Sequence, residues 1–178
     1  MLMFSCKLDG ETVVEYDDTP YILEYEGFPT PDLPPDNPLT EQGVQLGRML
    51  FYEPVLSKDG SQSCSSCHNQ SDGFSDTLRL SVGVQGLEGR RQAMPIFNMA
   101  WHSNEFFWDG RAHLLRDQSL LPIEDDFEMD DTLENVITKL EGMPIYREQF
   151  MRAFGSEEIN SEKMSLAMEQ FMLSIISN

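Results

Sequence analysis

The chain has 178 residues, 40% of them hydrophobic, which is enough for one domain with a real core and too apolar for a disordered class. Lys+Arg 12 against Asp+Glu 31 gives a formal charge of -19, which repels phosphate backbones and anionic surfaces; this argues against nucleic acid and for cationic partners. No apolar run approaches the roughly 20 residues that span a bilayer.

The opening MLMFSC sets a small residue before Cys6, after apolar ones. It reads as the end of a lipoprotein signal, with Cys6 as a lipid anchor, or as a frayed start with an incidental cysteine. Residues 7–28 show short apolar alternations without a helical period and read as an extended or irregular arm. FPTPDLPPDNP, 28–38, carries five prolines in eleven residues, which hold the backbone extended and prevent a helix. Residues 1–38 are thus an arm and strap ahead of a domain over 39–178.

Thr40 is the expected N-cap of a first helix whose Val44, Leu46, Leu50 and Phe51 share a face and which Pro54 stops. The Gly-rich run SVGVQGLEGRRQAMPIFN lacks either period and reads as part of a long ordered loop between 70 and 100, a length that is more often functional than idle. Ala112 to Leu120 is helix-compatible up to Pro122. Asp131 is the expected cap of TLENVITKL, with Leu133, Val136, Ile137 and Leu140 at helical spacing and Gly142 at its end. Pro144 and Gly155 bracket the next helix, and a last apolar-faced helix starts near Ser161. The expectation is an all-α fold with long ordered loops, and a chain that ends at Asn178 as though cut.

The chemistry-bearing motif is C-S-S-C-H, Cys64, Cys67 and His68. Zinc needs four ligands, and the remaining candidates are only Cys6, His102 and His113. A redox dithiol needs a βαβ context, which the helical pattern does not supply. Two structural cysteines beside a chance histidine remain an alternative. Attachment of c-type haem fits best: both thiols add to the haem vinyl groups, and the next histidine becomes the proximal ligand. Ser61 or Ser63 can cap the short helix, and Pro95, Ile96 and Phe97 can line a haem pocket.

PDNPLTEQGVQLGRMLFYEPVLS, SCSSCH, SVGVQGLEGRR, FFWDGRA and FEM, in this order and spacing, resemble the N-terminal haem domain of bacterial di-haem cytochrome c peroxidases and their MauG-like relatives. The resemblance runs from about residue 27 to the end and implies a cytochrome-c-like haem domain. It also implies reduction of hydrogen peroxide to water, with electrons from a small cytochrome c or cupredoxin arriving through a second haem in a C-terminal domain that this sequence lacks. It makes Cys64 and Cys67 the attachment sites, His68 the iron ligand and Trp108 the tryptophan between the haems. Gln118 and Glu128 match the distal glutamine and glutamate, the carboxylate moving a proton between the peroxide oxygens. Taken alone, Trp108 reads as a core aromatic and Glu128 as part of a solvated acidic run.

Two departures stand out. Where many members carry a histidine that closes the sixth iron position, this chain has Val84, which cannot ligate iron; Met94, Met99, His102 and His113 are the other candidates. Gln92 stands where an asparagine contributes to an interdomain calcium site, which leaves calcium open. The implied setting is the periplasm, with anchoring through Cys6 and a homodimer as further options. The alternatives are a mono-haem electron-transfer cytochrome and a MauG-like oxidising enzyme.

Overall fold

The structure, a computed structural model, describes residues 13–177. Cys6 and its lipid-anchor reading lie outside them. Six α-helices make the frame: α1 (Glu41–Phe51), α2 (Cys64–Cys67), α3 (Leu115–Glu124), α4 (Leu133–Glu141), α5 (Pro144–Phe154) and α6 (Ser161–Ser174). Among the described residues there are isolated β-bridges and no strand.

α6 is the centre of the core. Met164, Ala167, Met168, Phe171, Met172 and Leu173 are all buried, so the helix is enclosed on nearly every side. Its main partner is α1, and α3 and α5 also pack on it. The close α1–α6 approach depends on glycine: a Cβ at Gly47 would stand 1.9 Å from the Ala167 carbonyl oxygen, which belongs to backbone and cannot swing aside. α1 begins as expected, with the Thr40 hydroxyl accepting from the Gly43 N–H at 3.0 Å, and its Val44, Leu46, Leu50 and Phe51 face the core.

Three expected boundaries move. The third helix starts at Leu115 rather than Ala112, because Ala112 pairs with Phe106 in a bridge whose Phe106 N–H to Ala112 carbonyl bond is 2.7 Å. It also runs through Pro122 to Glu124. A proline in the last turn forfeits one N–H, while the Pro122 and Ile123 carbonyls accept from Met129 and Asp131 at 3.2 and 2.9 Å. Thr132, not Asp131, caps α4 through the Asn135 N–H. Asp131, one residue earlier, instead accepts from the Thr132 N–H, the Asn135 amide and Lys139 at 2.8, 2.7 and 2.6 Å.

The segment before α1 is extended and tied to the domain at several points. Asp17 N–H donates to the Arg152 carbonyl, Glu41 N–H to Thr19 and Tyr21 N–H to Leu39. In the proline strap the Pro29 carbonyl accepts from the Trp101 indole at 2.7 Å. At its end Asn37 is buried against α6: its amide donates to Glu169 at 2.8 Å, and its oxygen accepts from Gln170 at 2.8 Å. Glu169, 2% exposed at the side chain, also pairs with Arg116 of α3 at 2.9 Å, and Arg116 forks onto Asp36. Strap, α3 and α6 thus meet in one buried polar cluster.

Candidate functional site

The single turn of α2 is closed by the His68 N–H donating to the Cys64 carbonyl at 3.0 Å, and the Ser66 hydroxyl accepts from the Ser63 N–H at 3.1 Å. Ser63, of the two serines considered, is the N-cap. Spacing of i, i+3 puts both thiols on one side of that turn. His68 leaves the helix and is fixed by a small loop in which Phe74 takes a left-handed backbone, φ 54°. The Phe74 carbonyl lies 3.1 Å from His68 Nδ1. A carbonyl can only accept, so Nδ1 carries the proton and, in the neutral ring, Nε2 is left with the lone pair that a metal needs.

Burial pushes the His68 pKa below its ordinary value, against the Phe74 and Met94 carbonyls, so the ring stays neutral. Burial also raises Cys67, and it pushes Cys64 up to about 12; both thiols stay protonated, which is the form whose S–H adds across a vinyl group. Among the described residues no three His, Cys, Asp or Glu groups converge as metal ligands. Direct zinc binding needs such convergence. Haem attachment does not, since its sulfurs bond to the porphyrin edge and only the imidazole reaches the metal. The donor set therefore fits a covalent haem.

Beside His68 opens a cavity of about 420 Å³. Cys67, His68, Trp108, Gln118 and Glu128 all line it, although they are scattered over 62 positions of sequence (Cys67 to Glu128, counting both ends). Cys64 is half-buried and packs on the core behind it. Trp108 is no core residue: it is 63% exposed, and its indole N–H donates to the Gln92 carbonyl at 3.0 Å. The Phe106–Ala112 bridge closes the turn that presents it, with Phe107 at φ 65° and Gly110 at φ 68°. Gln118 comes from α3. Glu128 comes from the turn between α3 and α4, and burial, then the charge of Asp125, raise its pKa, while Arg111 opposes them.

Some expected lining residues stand elsewhere. Ile96 and Pro95 line the cavity, but Phe97 is not among the lining residues and packs on the core. Among the candidate iron ligands, Met94 and Met99 line the cavity, whereas His102 and His113 do not; Val84, which cannot ligate iron, lies outside the lining as well. His102 lies against the Phe106 ring, and His113 is engaged by Glu105 at 2.5 Å. The Gln92 amide is 3.4 and 3.5 Å from the Asp76 and Leu78 carbonyls.

The sequence reading missed three arginines. Arg90, Arg91 and Arg111 line the same cavity, Arg90 over the Phe127 ring at 4.4 Å and Arg111 over Phe107 at 3.5 Å. Asp109 pairs with Arg91 and Arg111 at 3.1 and 3.0 Å. In a chain with Lys+Arg 12 and a net charge of -19, three arginines at one cavity offset its three acids, Asp109, Asp125 and Glu128, and offer donors suited to carboxylates such as those of haem. The adjacent pair in EGRRQ was the available signal.

Comparisons with known proteins point to one family. Residues 41–178 match the family model described as di-haem cytochrome c peroxidase. The chain is 41% identical over 145 residues to the methylamine utilization protein MauG of Methylorubrum extorquens, covering 81% of this chain and 41% of that protein. It is 38% identical over 134 residues to the cytochrome c551 peroxidase of Nitrosomonas europaea, covering 75% and 40%. A crystal structure of a MauG-like protein associated with microbial copper homeostasis superposes with a TM-score of 0.78 at 32% identity, over 86% of this chain and 46% of that one. The chain thus spans less than half the length of these relatives. Motif, fold and cavity converge with these matches: the chain belongs to the di-haem cytochrome c peroxidase family.

Proposed function

We propose that this chain is the peroxide-reacting haem domain of a di-haem enzyme, reducing hydrogen peroxide to water. The observation that carries the reading is the single cavity lined by His68, Gln118 and Glu128. Cys64 and Cys67 would hold the haem covalently, His68 Nε2 would ligate its iron, and Arg90, Arg91 and Arg111 would face its carboxylates. When bound, the haem supplies the redox chemistry: two electrons and two protons turn one peroxide into two waters.

The protein's own part is proton handling and orientation. The Gln118 amide can both donate to and accept from a peroxide in the cavity. Glu128, whose carboxyl pKa burial raises above the ordinary value, can take up a proton and pass it between the two peroxide oxygens. Trp108, pinned to Gln92 at the open side, offers an exposed indole for electron entry from a second haem outside these residues. A small redox protein, a cytochrome c or a cupredoxin, would be the donor. The periplasm is the setting that covalent haem attachment requires, and among the described residues no helix is long and apolar enough to cross a membrane.

The test is Glu128→Gln in the haem-loaded protein. Peroxide turnover should fall by at least about 100-fold with the haem absorbance and covalent attachment intact; unchanged turnover removes Glu128 from the mechanism. A second reading, oxidation of a protein substrate in the MauG manner, is favoured by the 41% identity to a MauG protein. The ferric EPR signal bears on a third, a simple electron carrier. High spin fits a sixth position left open by Val84, and low spin means that a side chain such as Met94 or Met99 closes it.

A further inference from the structure

The turn that carries Glu128 is held from behind by another loop. Residues 81–89 form a closed turn, with the Gly89 N–H donating to the Ser81 carbonyl at 2.8 Å and the Gly83 N–H to Leu87 at 2.9 Å. This loop docks directly on the Glu128 turn. Val84 N–H donates to the Glu128 carbonyl at 2.9 Å, and the Gln85 amide donates to Asp130 Oδ2 at 2.7 Å. Lys58 closes the arrangement from the other side: its Nζ reaches the same Asp130 oxygen at 2.7 Å, and its N–H donates to the Met129 carbonyl at 3.0 Å.

Two further observations make this contact specific. Asp130 takes a left-handed backbone, φ 50°, which a non-glycine residue adopts reluctantly and which its two donors hold in place. Gly83 lies so close to the turn that a Cβ there would stand 2.1 Å from the Phe127 oxygen and 2.7 Å from the Glu128 oxygen, both backbone atoms. The same loop reaches the other half of the site, since Ser81 lines the cavity together with Cys67 and its hydroxyl donates to Asp76 at 2.6 Å. None of Lys58, Val84, Gln85 or Asp130 lines the cavity.

We infer that Gln85 and Lys58 are positioning residues for Glu128, fixing its carboxylate over the cavity through Asp130 and the Glu128 main chain. This rests on the reading of Glu128 as the proton-transferring group. The resemblance marks residue 84 as a ligand position, and the backbone there now has a separate task that any side chain would allow. Displacement of a catalytic group by ~1 Å can cost up to about 100-fold in rate, so loosening this turn should be visible in turnover.

The experiment uses the haem-loaded protein with Gln85→Ala, Lys58→Ala and Gly83→Ala, each alone and in a Glu128→Gln background. Hydrogen exchange at residues 125–131 should rise in all three, most in Gly83→Ala, while α1 and α6 keep their protection and covalent haem content is unchanged. The kcat for peroxide should fall about tenfold or more with little change in KM, and the loss should vanish in the Glu128→Gln background. A rise in exchange with unchanged kcat overturns the inference, as does an equal further loss without Glu128. Full turnover in Glu128→Gln alone would instead refute the reading beneath it, and exchange would still report whether these residues hold the turn.

Discussion

The buried cluster joining strap, α3 and α6 allows a ranked prediction. The side chain of Glu169 is 2% exposed, that of Arg116 14% and that of Asp36 68%. One Glu169 oxygen, Oε2, accepts both Asn37 at 2.8 Å and Arg116 at 2.9 Å. Arg116→Met leaves Glu169 charged and buried with only Asn37 as donor, a loss of about 3–5 kcal/mol. Glu169→Ala removes that acceptor but leaves Arg116 forked onto Asp36 and leaves Asn37 donating to the Leu166 carbonyl at 3.0 Å, so about 2–3 kcal/mol is expected. Glu169→Gln keeps an oxygen for both donors and loses only the charge, about 1 kcal/mol. Asp36→Ala, at the exposed end, should cost the least of the four. The assay is urea unfolding of the haem-loaded protein, followed by helical circular dichroism at constant m-value. If Asp36→Ala proves as costly as Arg116→Met, ranking these groups by burial is wrong.

Three further outcomes are expected. Burial raises the Glu128 pKa, so its ionisation costs stability that is lost as pH rises from the ordinary carboxylate value through the raised one; Glu128→Gln should therefore unfold at higher urea than the parent near pH 7.5 and equally near about pH 3.5. The same urea difference at both pH values would contradict this. In the unloaded chain Cys64, pushed up to about 12, should alkylate with iodoacetamide at about pH 8.5 at least about tenfold more slowly than Cys67, and equal rates by peptide mass spectrometry would refute the difference in burial. Gly47→Ala should destabilise despite a helix-propensity gain of about 1 kcal/mol, because its Cβ would stand 1.9 Å from a backbone oxygen and α1 must move off α6; a raised thermal midpoint would show that the helices separate freely.

Local signals in the sequence carried much of the frame. Thr40, Pro144 and Gly155 act on their own turns, so the ends of α1 and α5 were readable without tertiary knowledge. The start of α3 was not, because Ala112 is held out of the helix by Phe106, a partner that no local pattern names. Pro122 misled for a related reason: a proline ends a helix only when the turn beyond it has no other bonds.

The site divides in the same way. Cys64, Cys67 and His68 form one covalently short motif whose spacing dictates its geometry, and the sequence alone was enough to select them. Trp108, Gln118 and Glu128 carry no such local mark; only the folding of three separate segments around one cavity brings them to His68, and a resemblance was needed to name them in advance. Tertiary structure alone decided that Trp108 is exposed and that three arginines offset the three acids of the cavity. It alone also revealed Gln85 and Lys58 behind the Glu128 turn. Motif chemistry is set by bonds along the chain, whereas burial, charge environment and support depend on neighbours distant in sequence.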